Sequence, residues 1–379
     1  MERIYLDHAA TTPLDNEILE KMLPYFTENF GNPNSHHATG RKAMTAVDNA
    51  RDTLADLLNA KPNEIYFTSG GTEADNWALL GGAYAQRELG KTHVIISAIE
   101  HHAVLSAAER LEKEGFSVTY LPVNEGGMVE VNALKEALTE RTGIVAVMVA
   151  NNETGVLQDI KTLAQITHDN GSIFFADGVQ AAPYIPLDVK ALGVDMLSLS
   201  AHKFYGPKGV GALYIKSGVK IWAHALGGEQ ERGLRGGTLN VPAIVGLTAA
   251  YVKNHAQLQE IEEKLQSLRA LFLKELSTVG GIIVNGKNTL PAILNLRIEG
   301  VSNVDVLYKL DLCGVQAAAG SACASSSIQP SHVLTAMGLT EKEANESLRF
   351  SFGKHTTEEE ILRAAAILKE TIEKLRADR

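Results

Sequence analysis

The chain has 379 residues, 45% of them hydrophobic and 21% charged, which leaves room for two domains with a large core and excludes a disordered or fibrous class. Its 45 acidic residues against 35 basic ones give a formal charge of −10, which argues against a general binder of nucleic acid or anionic membranes. Two cysteines, Cys313 and Cys323, are too few for a disulfide framework and fit a reducing compartment.

The opening stretch "MERIYLDHAATTP" carries acidic residues and no apolar signal region. No apolar run approaches the length of a bilayer span. A cytoplasmic protein without membrane association is expected.

In chain order, "FTSGGTEADNWAL" (67–79) comes first among the chemically suggestive stretches. It sets Ser, two glycines and Thr between a predicted strand and a predicted helix. That is either an anion site at a helix N-terminus or an ordinary turn whose Thr caps the helix. No Gly-Lys-Ser/Thr follows, here or in "GPKGVG", so a nucleotide triphosphatase is not expected.

"HVIISA" (93–98), "GIVAVMVA" (143–150), "SIFFAD" (172–177) and "MLSLSA" (196–201) read as strands. "VNALKEALTE" (131–140) and "IKTLAQITHDNG" (160–171) read as helices between them. Such alternation predicts a parallel sheet covered on both faces, with ligands collecting at the carboxyl ends of the strands. "IEHHAVL" (99–105) places two histidines at a strand end, where neighbours face opposite ways and do not share a metal. By themselves they read best as structural histidines, and no metal is expected.

Asp177 ends a strongly apolar strand, and Lys203 follows 26 residues later, the spacing of one strand–helix–strand step. The two side chains could form a plain salt bridge. They are also the pair that pyridoxal phosphate chemistry asks for, an amine for the aldehyde and a carboxylate for the ring nitrogen. Further on, "HAQLQEIEEKLQSLRALFLKELSTV" (255–279) reads as one long helix leading into a smaller second domain. There "AILNLRI" (292–298) and "SLRFSFG" (347–353) read as strands, and the C-terminal stretch from Thr356 as a helix with a good N-cap.

Nine stretches in order carry a resemblance: "YLDHAATTP" (5–13), "FGNPNSHHATGRKA" (30–43), "FTSGGTEADN" (67–76), "EHHAVL" (100–105), "NNETGVLQDI" (151–160), "SAHKFYGPKGVGALY" (200–214), "GGEQERGLRGGTLN" (227–240), "GSACASSSIQPSHVL" (320–334) and "LRFSFGKHTTEEEI" (348–361). Together they resemble the cysteine desulfurases of the NifS/IscS type, within the class V aminotransferase-like, fold-type I pyridoxal phosphate enzymes.

The resemblance implies an α/β chain with a large, mainly parallel seven-stranded sheet domain over 16–252. It also implies a smaller α+β domain, built from 1–15 plus 253–379, that carries the cysteine loop. Lys203 is then the Schiff-base lysine, Asp177 the partner of the pyridine nitrogen, and His101 the ring-stacking residue that assists proton transfer. Asn152 and Gln180 bond the cofactor ring oxygen or nearby atoms. Gly71, Thr72, Ser200 and His202 hold the phosphate, joined by Thr238 from the second subunit of a homodimer. Arg349 clamps the substrate carboxylate, with Asn152 beside it.

Cys323 lies among small residues with no apolar periodicity to bury it. In the resemblance it takes sulfur from L-cysteine as a persulfide, leaves L-alanine, and passes the sulfur to an acceptor. Acceptors of that kind are an iron–sulfur scaffold or a tRNA-thiolation enzyme, without direct nucleic-acid contact. The length of the Cys323 loop resembles the group that delivers sulfur directly to scaffold proteins. "AAAGSAC" and "GGEQERGLRGGT" depart from the commonest family forms at neighbouring positions. Cys313 reads as inert packing at the end of an element. A selenocysteine lyase or an aminotransferase on the same fold, or a sulfur-carrier docking protein, are the alternative expectations.

Overall fold

A computed structural model describes residues 3–320 and 330–377. The strands, in chain order, are β1 (Ile4–Tyr5), β2 (Ile65–Thr68), β3 (His93–Ser97), β4 (Ser117–Leu121), β5 (Thr142–Ala146) and β6 (Ile173–Asp177). They continue with β7 (Met196–Ser200), β8 (Gly211–Ile215), β9 (Ile282–Asn285), β10 (Ile293–Ile298), β11 (Val315–Gln316) and β12 (Ser347–Ser351). Seven of them form one sheet in the order β2-β8-β7-β6-β5-β3-β4, in which only β8 pairs antiparallel with its neighbours.

The sheet is buried on both faces because its strands are apolar at successive positions. Ile95, Val145, Phe174 and Leu197 enter one core; Val94, Ile96, Phe175 and Met196 enter the other. This alternation follows the two-residue period of a strand. Truncating a fully buried side chain such as Phe174 costs about 3–5 kcal/mol. Only β4, at the sheet edge, exposes part of its length.

The chain runs β3 to β4 toward one edge and β5 to β6 to β7 toward the other, so the order reverses between β3 and β5. Loops diverge there at the carboxyl ends and open a crevice. β2, β3, β5, β6 and β7 all deliver their C-terminal ends to that side, and the antiparallel β8 begins there.

A three-stranded antiparallel sheet, β12-β10-β9, and a two-stranded parallel pair, β1-β11, complete the fold. Ile4 lies opposite Val315, so the N-terminal segment pairs with chain more than 300 residues away. β12 packs against the helix Leu258–Leu276 through Phe350 and, just past the strand, Phe352, both in ring contact with Phe272, and that helix lies beside Glu358–Ala377.

Three local expectations shift. The helix read over 255–279 is found as Leu258–Leu276, and the first two residues of the range instead close a preceding helix, Val241–Ala256. Gln257 leaves helical geometry at φ −110° and ψ 6°, while Asn254 is held by a bond from its amide to the Pro183 carbonyl at 2.8 Å. The strand read over 143–150 ends its regular pairing at Ala146. Its continuation still follows β6, with Val147 N–H on Phe175 O and Val149 N–H on Asp177 O. The helix read over 131–140 stops at Ala137. Among the described residues, no helix is long and apolar enough to cross a membrane.

Candidate active site

A cavity of about 440 Å³ opens at the carboxyl edge of the large sheet. The short turns that end β2, β3, β5, β6 and β7 line it, so it is built from residues far apart in sequence. Gly71, Thr72, His101, Asn152, Asp177, Gln180, Ser200, His202, Lys203 and Arg349 all face it. Thr238 is exposed and is not part of the lining, and Cys323 lies outside the described residues.

Lys203 closes the short 3-10 turn Ala201–Lys203 directly after β7. Its Nζ donates to the Ala9 carbonyl at 2.5 Å and to the Ala10 carbonyl at 3.1 Å. The N-terminal segment is held against this turn: the Thr12 hydroxyl donates to the His202 carbonyl at 2.8 Å and accepts from Tyr205 N–H at 2.8 Å. Composition and periodicity gave no reason to link residues 9–12 with Lys203.

Asp177 ends β6 almost fully buried. One oxygen accepts Val179 N–H at 2.8 Å and the Ser198 hydroxyl at 3.4 Å. Burial raises its carboxyl above the usual range, opposed by those two bonds and by the positive charge of Lys203. A cationic partner brought into the cavity would relieve that burial.

His101 caps the helix His102–Lys113, its Nδ1 accepting Ala103 N–H at 3.1 Å. This corrects the strand-end expectation: the chain leaves β3 at Ser97 and reaches the histidines at the start of a helix. The rings of His101 and His102 are 6.5 Å apart, and His102 packs instead against His332 at 4.8 Å. Burial, then the nearby Lys203, hold His101 down at about 4, so it is neutral at physiological pH. His202 is also held down to about 4 by burial and by Lys203 and Lys208.

On the opposite side of the crevice, Arg349 sits mid-strand in β12, only 1% exposed. Its Nη1 donates to the Asn152 carbonyl and its Nη2 to Asp7 Oδ1, both at 2.7 Å, while its Nε has no partner among the described residues. A planar fork fixed by two partners, with donors still to satisfy, can receive a carboxylate. The backbone of Arg349 also pairs with that of Ala318, just before the Cys323 stretch.

Three features invite a polar, anionic ligand. Both side-chain polar atoms of Gln180 are buried without a partner among the described residues. Gly70, at φ +155°, turns the chain so that the helical run from Gly71 begins at the cavity. A Cβ on Gly71 would come within 2.8 Å of Val179, so backbone approach there requires glycine. Residues that received no role from the sequence are also close by. They are Asp7 on Arg349, Asp75 in the cavity wall, Glu100 behind it, and Glu153, which accepts from the Ser331 hydroxyl at 2.5 Å. All four lie inside the quoted motifs, but a buried carboxyl shows its partners only in three dimensions.

Comparison with known proteins fits this geometry. Residues 4–363 match the profile of the family described as Aminotransferase class-V. The chain belongs to that family. A cysteine desulfurase IscS of Methanosarcina thermophila is 47% identical over 98% of this chain and 93% of its own length. A solved NifS-like protein superposes with a TM-score of 0.91 at 36% identity, covering 98% of this chain and 99% of the other. The structure titled SspA in complex with cysteine superposes at 0.83 with 35% identity, covering 93% and 99%. The α/β fold of this chain is therefore that of fold-type I enzymes, with the expected mainly parallel seven-stranded sheet.

Proposed function

We propose that the chain is a pyridoxal phosphate-dependent cysteine desulfurase, a sulfurtransferase that converts L-cysteine to L-alanine. The observation that carries this reading is the meeting of Lys203, Asp177, His101 and Arg349 in one cavity, in a chain nearly half identical to curated cysteine desulfurases.

The cavity suits pyridoxal 5'-phosphate. Lys203 would be the amine for its aldehyde and Asp177 the carboxyl for its ring nitrogen. His101 would lie against its ring, and Gln180 and Asn152, which line the same cavity, would supply side-chain amides to it. Gly71, Thr72, Ser200 and His202 form a neutral donor cradle for the phosphate. When bound, the cofactor supplies an electron sink for charge that develops at the substrate Cα.

The protein's own residues do the rest. Arg349 receives the α-carboxylate and, with Asn152, fixes which Cα bond faces Lys203. Lys203 takes and returns a proton at Cα. His101 is held neutral, and because its Nδ1 accepts Ala103 N–H, its ring proton lies on Nε2, from which it would assist proton transfer as a donor. The Cys323 thiolate attacks the substrate sulfur. The substrate's Cβ–S bond breaks, an S–S bond forms on Cys323, and the carbon skeleton gains a proton at Cβ to leave as alanine. One thiol and one cysteine thus give one persulfide and one alanine, with no external oxidant. The persulfide is then handed to an acceptor thiol, which an iron–sulfur scaffold or a tRNA-thiolation enzyme would supply.

The assembly is read as a homodimer in which Thr238 of each copy completes the other's phosphate cradle. Its exposure, outside its own chain's cavity, supports that reading. The division into a large domain over 16–252 and a small domain over 1–15 plus 253–379 is supported by the pairing of β1 with β11.

The test is to incubate purified protein with L-cysteine and a reductant and quantify the products. Equimolar alanine and sulfide are expected. A keto acid in place of alanine would identify a transaminase instead, and partner binding by a colourless, inactive protein would identify a docking protein.

A further inference from the structure

Arg349 lines the cavity, is almost wholly buried, and has Asp7 as its ion-pair partner. A buried guanidinium needs an anion for its charge and acceptors for its fixed fork of donors. The Asp7 carboxylate supplies both, accepting from Nη2 at 2.7 Å, while the Asn152 carbonyl accepts from Nη1. Asp7 itself is not part of the cavity lining, so it reaches the cavity through Arg349.

Main-chain pairing puts Asp7 there. Residues 6–9 lie alongside the end of β12: Ser351 N–H donates to the Leu6 carbonyl at 2.8 Å, and Ala9 N–H to the Ser351 hydroxyl at 2.9 Å. Asp7 bridges in parallel to Ser351, two residues beyond Arg349. Strand residues two apart share a face, so this register sets the Asp7 carboxylate on the side of the sheet that Arg349 occupies. Immediately afterwards the Ala9 and Ala10 carbonyls accept from Lys203 Nζ. Residues 7–10 therefore touch the Arg349 fork with a side chain and the Lys203 amine with main-chain carbonyls. A change in the Asp7 side chain acts on the first contact and leaves the second in place.

A guanidinium is a rigid plane, and turning it presents different donors to a ligand. With Nη1 and Nη2 each tied to a separate acceptor, that turning is stopped. Nε, which has no partner among the described residues, remains to be satisfied.

We propose that Asp7 is the positioning residue of the substrate clamp, holding the Arg349 fork in the orientation that receives the α-carboxylate. This rests on the reading of Arg349 as the carboxylate site. A purely structural ion pair would tie the N-terminal segment to β12 just as well, but it would not distinguish ligands with a carboxylate from ligands without one.

The test uses that distinction. Holoenzyme of wild type, Asp7→Ala and Asp7→Asn is titrated with L-alanine and with L-alaninamide, and the cofactor's absorption is followed. Neither ligand carries sulfur to transfer, so binding is read without turnover. L-Alaninamide keeps the amine and the Cα but has no carboxylate. Loss of the charge-assisted bond on Nη2 is expected to weaken L-alanine binding about tenfold in D7A. L-Alaninamide binding is expected to stay within about twofold, as for groups that share no partner. An Asn oxygen can still accept from Nη2, so D7N is expected to lose less than D7A and to lose it for L-alanine only. D7N keeps the shape of the side chain and carries the comparison if D7A does not fold.

An equal loss for both ligands overturns the proposal, because it reports general damage to the site. Unchanged or tighter L-alanine binding in D7A overturns it too, since Asp7 would then be dispensable or a competitor for the fork. The double variant D7A/R349A is expected to bind L-alanine no more weakly than R349A, which leaves Asp7 nothing to orient. An additive loss contradicts the proposal. A wild type that binds L-alaninamide as tightly as L-alanine would instead sink the reading of Arg349 as the carboxylate site, and the proposal with it.

Discussion

The two walls of the cavity are built differently. One wall is the carboxyl edge of the seven-stranded sheet, where Asp177, Ser200 and Lys203 follow one another on β6, β7 and the turn after β7. The strands behind them are buried on both faces, so their ends are fixed by the core. The other wall is Arg349 on an antiparallel strand, held by Asp7 from 342 residues away and by the Asn152 carbonyl. The first wall is made by consecutive crossovers and the second by tertiary contacts alone. Holding a cofactor and clamping a substrate are thus assigned to separately built parts, which substitutions can separate.

On the proposed reading, the largest effect is expected from Lys203→Ala, which would remove both the cofactor's amine partner and the proton carrier. Turnover should fall at least about 10⁴-fold, and borohydride should no longer fix cofactor to the protein. Asp177→Asn should follow. Breaking a buried charged pairing costs about 3–5 kcal/mol. This corresponds to roughly 10²- to 5 × 10³-fold in turnover, accompanied by a changed cofactor spectrum. Arg349→Lys tests the other wall. Losing one charge-assisted bond of the fork costs about 1.5–3 kcal/mol, so KM for L-cysteine should rise about 10- to 100-fold. The cofactor spectrum should stay unchanged. A spectral change in R349K as large as in D177N would break the separation.

Stability should respond to acid through three histidines, His101 and His202 at the cavity and His8 in the N-terminal segment. His8, His101 and His202 are each held down to about 4, chiefly by burial, whereas an unfolded histidine titrates near 6.5. The folded state then binds fewer protons than the unfolded state between those values. Stability is complete above about pH 6.5 and is lost as pH falls toward 4. Thermal unfolding of cofactor-free protein over that window should show the midpoint falling. A flat midpoint would mean that these rings are solvated. The smallest effect is expected from Thr238→Ala, one neutral bond worth about 0.5–1.5 kcal/mol, or up to about tenfold in cofactor affinity.

The same division explains what the sequence made legible. Strand–helix alternation gave the large sheet, and the 26-residue interval placed Asp177 and Lys203 side by side because parallel neighbours repeat one step of chain. The histidines were placed on the wrong kind of element: the strand read to Ala98 ends at Ser97, and the start of the next helix at His102 leaves no mark in an apolar pattern. Asp7 and Arg349 could not be paired from spacing, because nothing local encodes a contact across 342 residues. Asp75 and Glu100 look like ordinary helix-start and strand-end acids until their burial is seen. The roles of Thr238 and Cys323 came from the resemblance alone, the first being exposed and outside its own chain's cavity lining and the second lying outside the described residues.

The central claim is that sulfur leaves the substrate by way of Cys323, and one comparison tests it most directly. Wild type and Cys323→Ser would be given L-cysteine with a reductant, and alanine, sulfide and the cofactor spectrum followed together. The expected result is both products from wild type, and a variant that keeps the cofactor spectrum yet makes neither. A variant that forms alanine as fast as wild type would contradict the account.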